Sequence, residues 1–197
     1  MRVLSRRAAL RALTCSMAAA ALPQALASAG SGARALTTPP TEVLRELPDA
    51  RLYGSGRLRR YFFHVYDARL WTQPGFEIAR FSQLPLALEL QYGRELVGSL
   101  IAERSIEEMQ RAAEITPAQQ RVWLAAMQRC FPDVVEGDRM TGVQLPGTAA
   151  RFFVNGAFVG EVRDAEFTRL VFGIWLAPTT SEPELRAALL AGARGGS

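Results

Sequence analysis

His64 is the first residue to consider for chemistry, because it is the single histidine in a chain of 197 residues. A metal site built from several imidazoles is therefore excluded. With Cys130 it supplies at most two soft ligands, which is too few for a structural zinc site. A buried His64 would serve as a hydrogen-bonding residue of the core or cleft wall. An accessible one could bond a ligand carboxylate or carbonyl, with its charge set near neutral pH.

Two arginines form the next candidate pair. Arg104 and Arg111 are seven residues apart, so they share one face of a helix after two turns. Together they could bind a carboxylate, although the neighbouring Glu107, Glu108 and Glu114 favour solvated ion pairs instead.

Tyr66, Tyr92 and Met109 complete the candidate ligand-binding set, which also contains His64, Arg104 and Arg111. Both tyrosines project from predicted strands and carry a hydroxyl that needs a partner when buried. Met109, on a predicted helix, suits either an adaptable apolar pocket or ordinary core filling.

No catalytic, metal-binding or cofactor-binding group is predicted beyond these residues. The sequence contains no Gly-rich phosphate loop and no paired-carboxylate acid/base site. Cys130 precedes Phe131 and Pro132 at the end of a helical pattern, where a small buried residue fits better than a reactive thiol.

The net charge of +4 does not indicate a nucleic-acid partner. Four of the 23 basic residues lie within the first eleven positions, and the remaining 19 equal the 19 acidic residues in number. The rest of the chain is therefore formally neutral, without the basic surface expected of a nucleic-acid binder.

Residues 1–27 are typical of an export signal. A basic stretch precedes an apolar run of about eleven residues, too short to span a bilayer, and cleavage is expected after Ala27 or Ala29. The pair Arg6-Arg7 resembles a twin-arginine signal, but Ala9 replaces its usual aromatic residue, so a general secretory signal stays open. We expect a periplasmic protein with no transmembrane segment in its mature chain.

The remaining pattern predicts a linker over 28–49 and one α+β domain over 50–192. Strands are predicted at 58–71, 86–92, 139–145, 149–154 and 157–162, the last two joined by an Asn155-Gly156 turn. Helices are predicted at 94–104, 105–114, from Pro117 to a point before Pro132, 165–176 and 183–191, with capping residues at Ser105, Thr116, Asp164 and Ser181. This order predicts a mainly antiparallel sheet covered by helices on one face.

The chain resembles the chalcone isomerase-like family, in its bacterial exported branch. The resemblance rests on residues 64–71, 85–92, 108–109, 131–139 and 152–176, in that order and spacing. It implies an open-faced β-sandwich with a ligand cleft between sheet and helices. The plant enzymes of this fold use an arginine, a threonine, a tyrosine and an asparagine to stabilise a phenolate.

This sequence departs from that donor set. His64 occupies the threonine position, and Arg104 and Arg111 stand where tyrosine and asparagine are expected. The resemblance therefore favours a non-catalytic binder of a small apolar or amphipathic ligand, such as a fatty acid or another lipid. Two alternatives stay open: an isomerase or intramolecular lyase with a rearranged site, and a periplasmic protein that binds a protein partner.

Overall fold

The computed structural model describes residues 38–194. The predicted export signal, with Ala27 and Ala29, lies outside the described residues, as does the first part of the predicted linker, residues 28–37.

Six strands and five α-helices make up this part of the chain. The first half contains α1 Thr41–Glu46, β1 Arg51–Arg60, β2 Phe63–Thr72, a 3-10 helix Ile78–Gln83, β3 Leu86–Tyr92, α2 Gly98–Met109 and α3 Pro117–Cys130. The second half contains β4 Arg139–Leu145, β5 Ala149–Val154, β6 Ala157–Val162, α4 Ala165–Leu176, α5 Pro183–Leu189 and a 3-10 turn Ala191–Arg194.

The strands form one antiparallel sheet in the order β1 to β6, so every strand pairs with its sequence neighbours. This confirms the predicted α+β class with an open antiparallel sheet. The main core lies between one sheet face and α2 to α5, and includes Leu70, Leu88, Phe152, Phe167 and Trp123.

The opposite face carries a smaller core under α1. Val43 and Leu47, one helical turn apart, pack with Trp71, Val143 and Phe153. The structure differs here from the linker predicted for 28–49, because Thr41–Glu46 is helical and Val43 is fully buried. So short an apolar pattern carries almost no helical periodicity in sequence.

The predicted long strand 58–71 is wrong. These residues instead belong to a hairpin of β1 and β2, in which the chain reverses at Tyr61 and Phe62. Tyr61 adopts a φ of 55°, a left-handed conformation uncommon for an aromatic residue. Because the turn contains no Gly, Asn or Pro, the usual sequence marks of a hairpin are missing.

The first half of β1 was also missed, because Gly54 and Gly56 interrupt its strand pattern. These glycines permit the close approach of α5. A Cβ atom on Gly56 would lie 2.7 Å from the side chain of Leu185.

The predicted helix start at Ser105 is wrong as well. A single helix, α2, runs through this position, and the Ser105 hydroxyl donates a 2.8 Å hydrogen bond to the carbonyl of Ile101. Serine can form this bond inside a helix without ending it. The helix α5 likewise has no side-chain cap from Ser181; it begins after Glu182, with Pro183 at its first position.

The other two predicted caps are confirmed. Thr116 and Gln119 form a reciprocal capping box at α3. Asp164 accepts hydrogen bonds from the amides of Glu166 and Phe167, both at 2.9 Å, at α4.

Candidate functional site

A cavity of about 370 Å³ lies between the sheet and the helices α2 and α4. Its walls are mostly apolar and come from β2, β3, β4 and both helices, as expected where a curved sheet is incompletely covered. Representative wall residues are Leu88, Leu90, Met140, Ile101 and Val171. Its volume lies at the lower end of the range for small-molecule sites.

The entrance combines apolar and charged side chains. Val97 and Leu100, both largely exposed on the α2 side, form the apolar rim. Arg60 of β1 forms an ion pair with Glu182, which precedes α5. Arg104 of α2 forms ion pairs with Glu107, at 2.9 Å, and with Glu108.

Two of these carboxylates keep an oxygen without a hydrogen-bond donor. Glu108 Oε2 is buried and lies 3.6 Å from Arg111 Nε, close enough for ionic attraction but too far for a normal hydrogen bond. Glu182 Oε1 contacts Arg60 without acceptable hydrogen-bond geometry. Because buried acceptors are normally satisfied, both oxygens can accept a bond from a bound molecule.

Tyr66 and Tyr92 form the polar part of the inner wall. Their rings meet edge to face, with centroids 6.1 Å apart. The indole of Trp175 donates a 2.9 Å hydrogen bond to the Tyr66 hydroxyl. Burial raises the pKa of Tyr66 well above its ordinary value, and the nearby Glu182 and Glu108 act in the same direction, while Trp175 and Arg60 oppose it. Burial likewise raises the pKa of Tyr92. Both phenols therefore stay protonated and can donate.

His64 does not line this cavity. The pairing of β1 with β2 shifts between Leu58 and Arg59, so Val65 has no partner in the register. Val65 lines the cavity, and His64 Nε2 instead lies 3.4 Å from Asp67 Oδ2. The imidazole also packs directly against Gly93, which leaves no room for a side chain there.

Met109 and Arg111 also lie outside the cavity wall. Met109 is fully buried in the main core. Arg111 donates a 3.2 Å hydrogen bond to the carbonyl of Thr179 and so joins the turn after α2 to the segment after α4. Of the six predicted ligand-binding residues, the structure brings Tyr66, Tyr92 and Arg104 together.

Arg60, Glu108, Trp175 and Glu182 are wall residues that the sequence analysis did not select. Arg60 was placed in the interior of a long strand, and Trp175 in the apolar stripe of a helix. Glu182 reaches Arg60 only through tertiary packing, across 122 positions by residue number. The charge of Glu108 beside Arg104 was visible in the sequence and was assigned to solvated ion pairs, whereas its side chain is buried.

Within residues 38–194, no cluster of three or more His, Cys, Asp or Glu side chains could hold a metal ion. Cys130 is buried and unpaired, and burial raises the pKa of its thiol, which disfavours the reactive thiolate. In the same range, no helix is long and apolar enough to cross a membrane.

Comparison with known proteins agrees with this architecture. The family model described as chalcone isomerase-like matches residues 40–191. The chain belongs to the chalcone isomerase-like family. An uncharacterized protein of Haemophilus influenzae is 30% identical over 128 residues, which cover 65% of this chain and 61% of the relative. The match therefore spans less than two thirds of that relative's length.

A solved structure shows the same fold as this chalcone isomerase-like chain. The crystal structure of a fatty-acid binding protein of Arabidopsis thaliana superposes with a TM-score of 0.56 at 11% sequence identity. The match covers 74% of this chain and 89% of the plant protein. At this identity the likeness concerns the fold alone.

Proposed function

We propose that this chalcone isomerase-like chain binds an amphipathic small molecule, a fatty acid or another lipid, without chemically changing it. One observation carries the proposal: an apolar cavity of about 370 Å³ is also lined by four charged side chains, of which Arg60 and Arg104 are 54% and 57% exposed. A molecule with one long apolar part and one polar end matches that distribution. The solved neighbour of the same fold, a fatty-acid binding protein, supports the choice of ligand class.

The entrance also indicates what the polar end must offer. Arg60 and Arg104 can donate to an acceptor, whereas Glu108 Oε2 and Glu182 Oε1, which face arginines without a normal hydrogen bond, can accept from a donor. A hydroxyl or a protonated carboxylic acid provides both functions. A fully ionised carboxylate would instead have to compete with the glutamates for the arginines.

The test begins with protein purified from cells, examined by native mass spectrometry for a co-purified lipid. Palmitic acid, hexadecanol and butyric acid are then added separately, and the melting temperature is measured. We expect both long-chain compounds to stabilise the fold, by about 2.7 kcal/mol at a hundredfold excess over Kd, and butyric acid to have no effect.

A pair of matched variants locates the site. Ile101→Trp places a bulky ring in the cavity wall, whereas Val122→Trp places it on the exposed side of α3, away from the cavity. We expect the first to abolish the ligand-induced shift and the second to preserve it. Empty purified protein, with no shift from any long-chain compound, would refute the proposal.

A rearranged isomerase is the alternative function, and one observation favours it. Arg60, Arg104 and Tyr66 reach the same cavity, so an arginine and a tyrosine hydroxyl are both available. Against it, Glu108 and Glu182 offset the positive charge that would stabilise a phenolate. Chalcone turnover by the purified protein, abolished in Arg104→Gln, would decide for catalysis.

We also propose that the protein acts in the periplasm. The support is the basic stretch and apolar run within residues 1–22, followed by Ala25-Leu26-Ala27. Mass spectrometry of protein recovered from a periplasmic extract should give an N-terminus at Ser28 or Gly30. An intact N-terminus and recovery only from the cytoplasm would contradict this.

A further inference from the structure

The tip of the β1–β2 hairpin is the most exposed apolar feature of the described residues. Tyr61, Phe62 and Phe63 are 93%, 99% and 63% exposed. Three adjacent aromatic side chains in water are costly, since burying one such ring is worth roughly 1.5–3 kcal/mol. Exposed apolar groups of this kind mark contact surfaces.

The turn is also strained. Tyr61 holds a φ of 55°, which costs an aromatic residue about 1–3 kcal/mol. A glycine or asparagine would form the turn more easily. The turn places all three rings at the end of the hairpin.

Positive charge surrounds the rings. No acidic residue occurs between Arg57 and Tyr66. Arg59 lies beside the turn, and the Arg94 guanidinium lies 5.2 Å from the Phe63 ring centre. Among residues 38–194, neither Arg59 nor Arg94 forms an ion pair, unlike Arg57 and Arg60, which bind Asp67 and Glu182.

The hairpin tip continues into the cavity entrance. Arg60 and Val65, which flank the three rings, line the cavity together with the exposed Val97 and Leu100 of α2. The cavity lining therefore extends from the base of the hairpin tip to the exposed aliphatic side chains on the α2 side.

We propose that the hairpin tip docks onto a lipid bilayer with anionic headgroups. Aromatic rings favour the boundary between headgroups and acyl chains, and arginines beside them gain energy from an anionic surface. Three exposed rings, two arginines that form no ion pair among residues 38–194, and the absence of acidic residues from positions 58–65 fit such a surface. Docking in this way places the cavity entrance at the bilayer. That last consequence rests on the proposed lipid ligand, whereas the docking itself does not.

The test uses the full chain with a local reporter. Phe62→Trp places an indole at the tip, and Phe158→Trp places one at an exposed aromatic position on β6, at the other edge of the sheet. Each is mixed with vesicles of phosphatidylcholine alone or of an equimolar mixture with phosphatidylglycerol. We expect the emission of Phe62→Trp to move to shorter wavelength only with the anionic vesicles, and that of Phe158→Trp not to move.

Changes in vesicle affinity then separate the contribution of the arginines from that of the aromatic rings. In co-sedimentation, Arg59→Gln and Arg94→Gln should each weaken binding to the anionic vesicles by roughly fivefold. Phe62→Ser should weaken it by about tenfold or more, and Phe158→Ser should leave it unchanged. Because residues 1–37 are the same in every variant, their own affinity for lipid cancels in these comparisons.

Three results would overturn the proposal. An unchanged Phe62→Trp emission with both kinds of vesicle would exclude membrane contact by the tip and leave a protein partner as its occupant. Equal shifts with neutral and anionic vesicles would exclude recognition of the anionic surface. Equal shifts at positions 62 and 158 would show that the tip is not the docking site. A cavity ligand would act on the emission of Trp175 in both variants alike, so the difference between Phe62→Trp and Phe158→Trp reports on the tip alone.

Discussion

The indole nitrogen of Trp175 donates a 2.9 Å hydrogen bond to the hydroxyl of Tyr66, joining α4 to β2 across the inner wall of the cavity. The two residues lie 109 positions apart in the chain. This bond fixes the Tyr66 hydroxyl as an acceptor from the indole, while its own proton stays free to bond another group.

We expect this hydrogen bond to stabilise the fold measurably. Tyr66→Phe removes the acceptor and leaves the indole without a partner, so the free energy of unfolding should fall by about 1–3 kcal/mol. Trp175→Phe should also destabilise, partly through lost packing. A double-mutant cycle measured by urea unfolding should give a coupling near 1 kcal/mol, and full additivity would contradict the bond.

The two buried phenols predict a loss of stability at alkaline pH. In the unfolded chain a tyrosine ionises near pH 10, whereas in the folded chain burial raises the pKa of Tyr66 and Tyr92 above that value. The folded state then binds more protons, so stability is present below about pH 10 and is lost as the pH rises above it.

Tyr92→Phe should reduce this loss by up to about 1.4 kcal/mol per pH unit. Urea unfolding at a series of alkaline pH values measures the slope. Between about pH 7 and pH 9, wild type and Tyr92→Phe should show the same slope, because the phenol is protonated in both states. A difference in slope there would point to another titrating group.

The ion pair between Arg69 and Glu89 should contribute more to stability than the one between Arg57 and Asp67. Arg69 of β2 pairs with Glu89 of β3 at 2.7 Å, and Arg57 of β1 pairs with Asp67 of β2 at 2.6 Å. The Arg69 side chain is 11% exposed, whereas that of Arg57 is 49% exposed. Arg69→Met leaves the buried Glu89 carboxylate with too few donors, which should cost about 3–5 kcal/mol.

Arg57→Met is the matched control. It removes the same charge from the same face of the sheet, but at an exposed position. Its effect on urea unfolding should be close to the error of the measurement. Similar losses in both variants would show that burial does not determine the contribution of these pairs.

Asp164 should be a more important cap than Thr116. Each caps a helix, but Asp164 Oδ2 also accepts a 2.9 Å hydrogen bond from the indole of the buried Trp123. Thr116→Ala should cost about 1 kcal/mol and Asp164→Ala about 2–3 kcal/mol in thermal or urea unfolding. Equal losses would show that the bond to Trp123 adds nothing.

The second half of the sheet was predicted closely because its turns have distinctive residues. Pro146-Gly147 and Asn155-Gly156 mark two chain reversals, and β4, β5 and β6 begin and end where the pattern predicts. The first hairpin lacked such residues, and its two strands appeared as one. The presence or absence of turn-forming residues, rather than strand propensity, therefore determined whether the strand ends could be predicted.

The candidate site was less predictable than the fold. The alternation that placed His64 on the face of Tyr66 does not hold across the register shift near Val65. A strand pattern with period two cannot show an extra residue of this kind. The pairing of Arg60 with Glu182 depends on how α5 packs against β1, which no local pattern encodes.

The short helix α1 determines where the chain can be shortened. Glu42 binds the Arg139 guanidinium at 2.9 Å and the Thr141 hydroxyl at 3.0 Å, and Val43 covers the side of the sheet that the larger helices leave bare. Deleting everything before residue 50 would uncover Trp71 and Phe153 on this face of the sheet. Such an exposed apolar surface promotes aggregation. An N-terminally truncated protein for crystallisation should therefore retain Pro39 and Pro40.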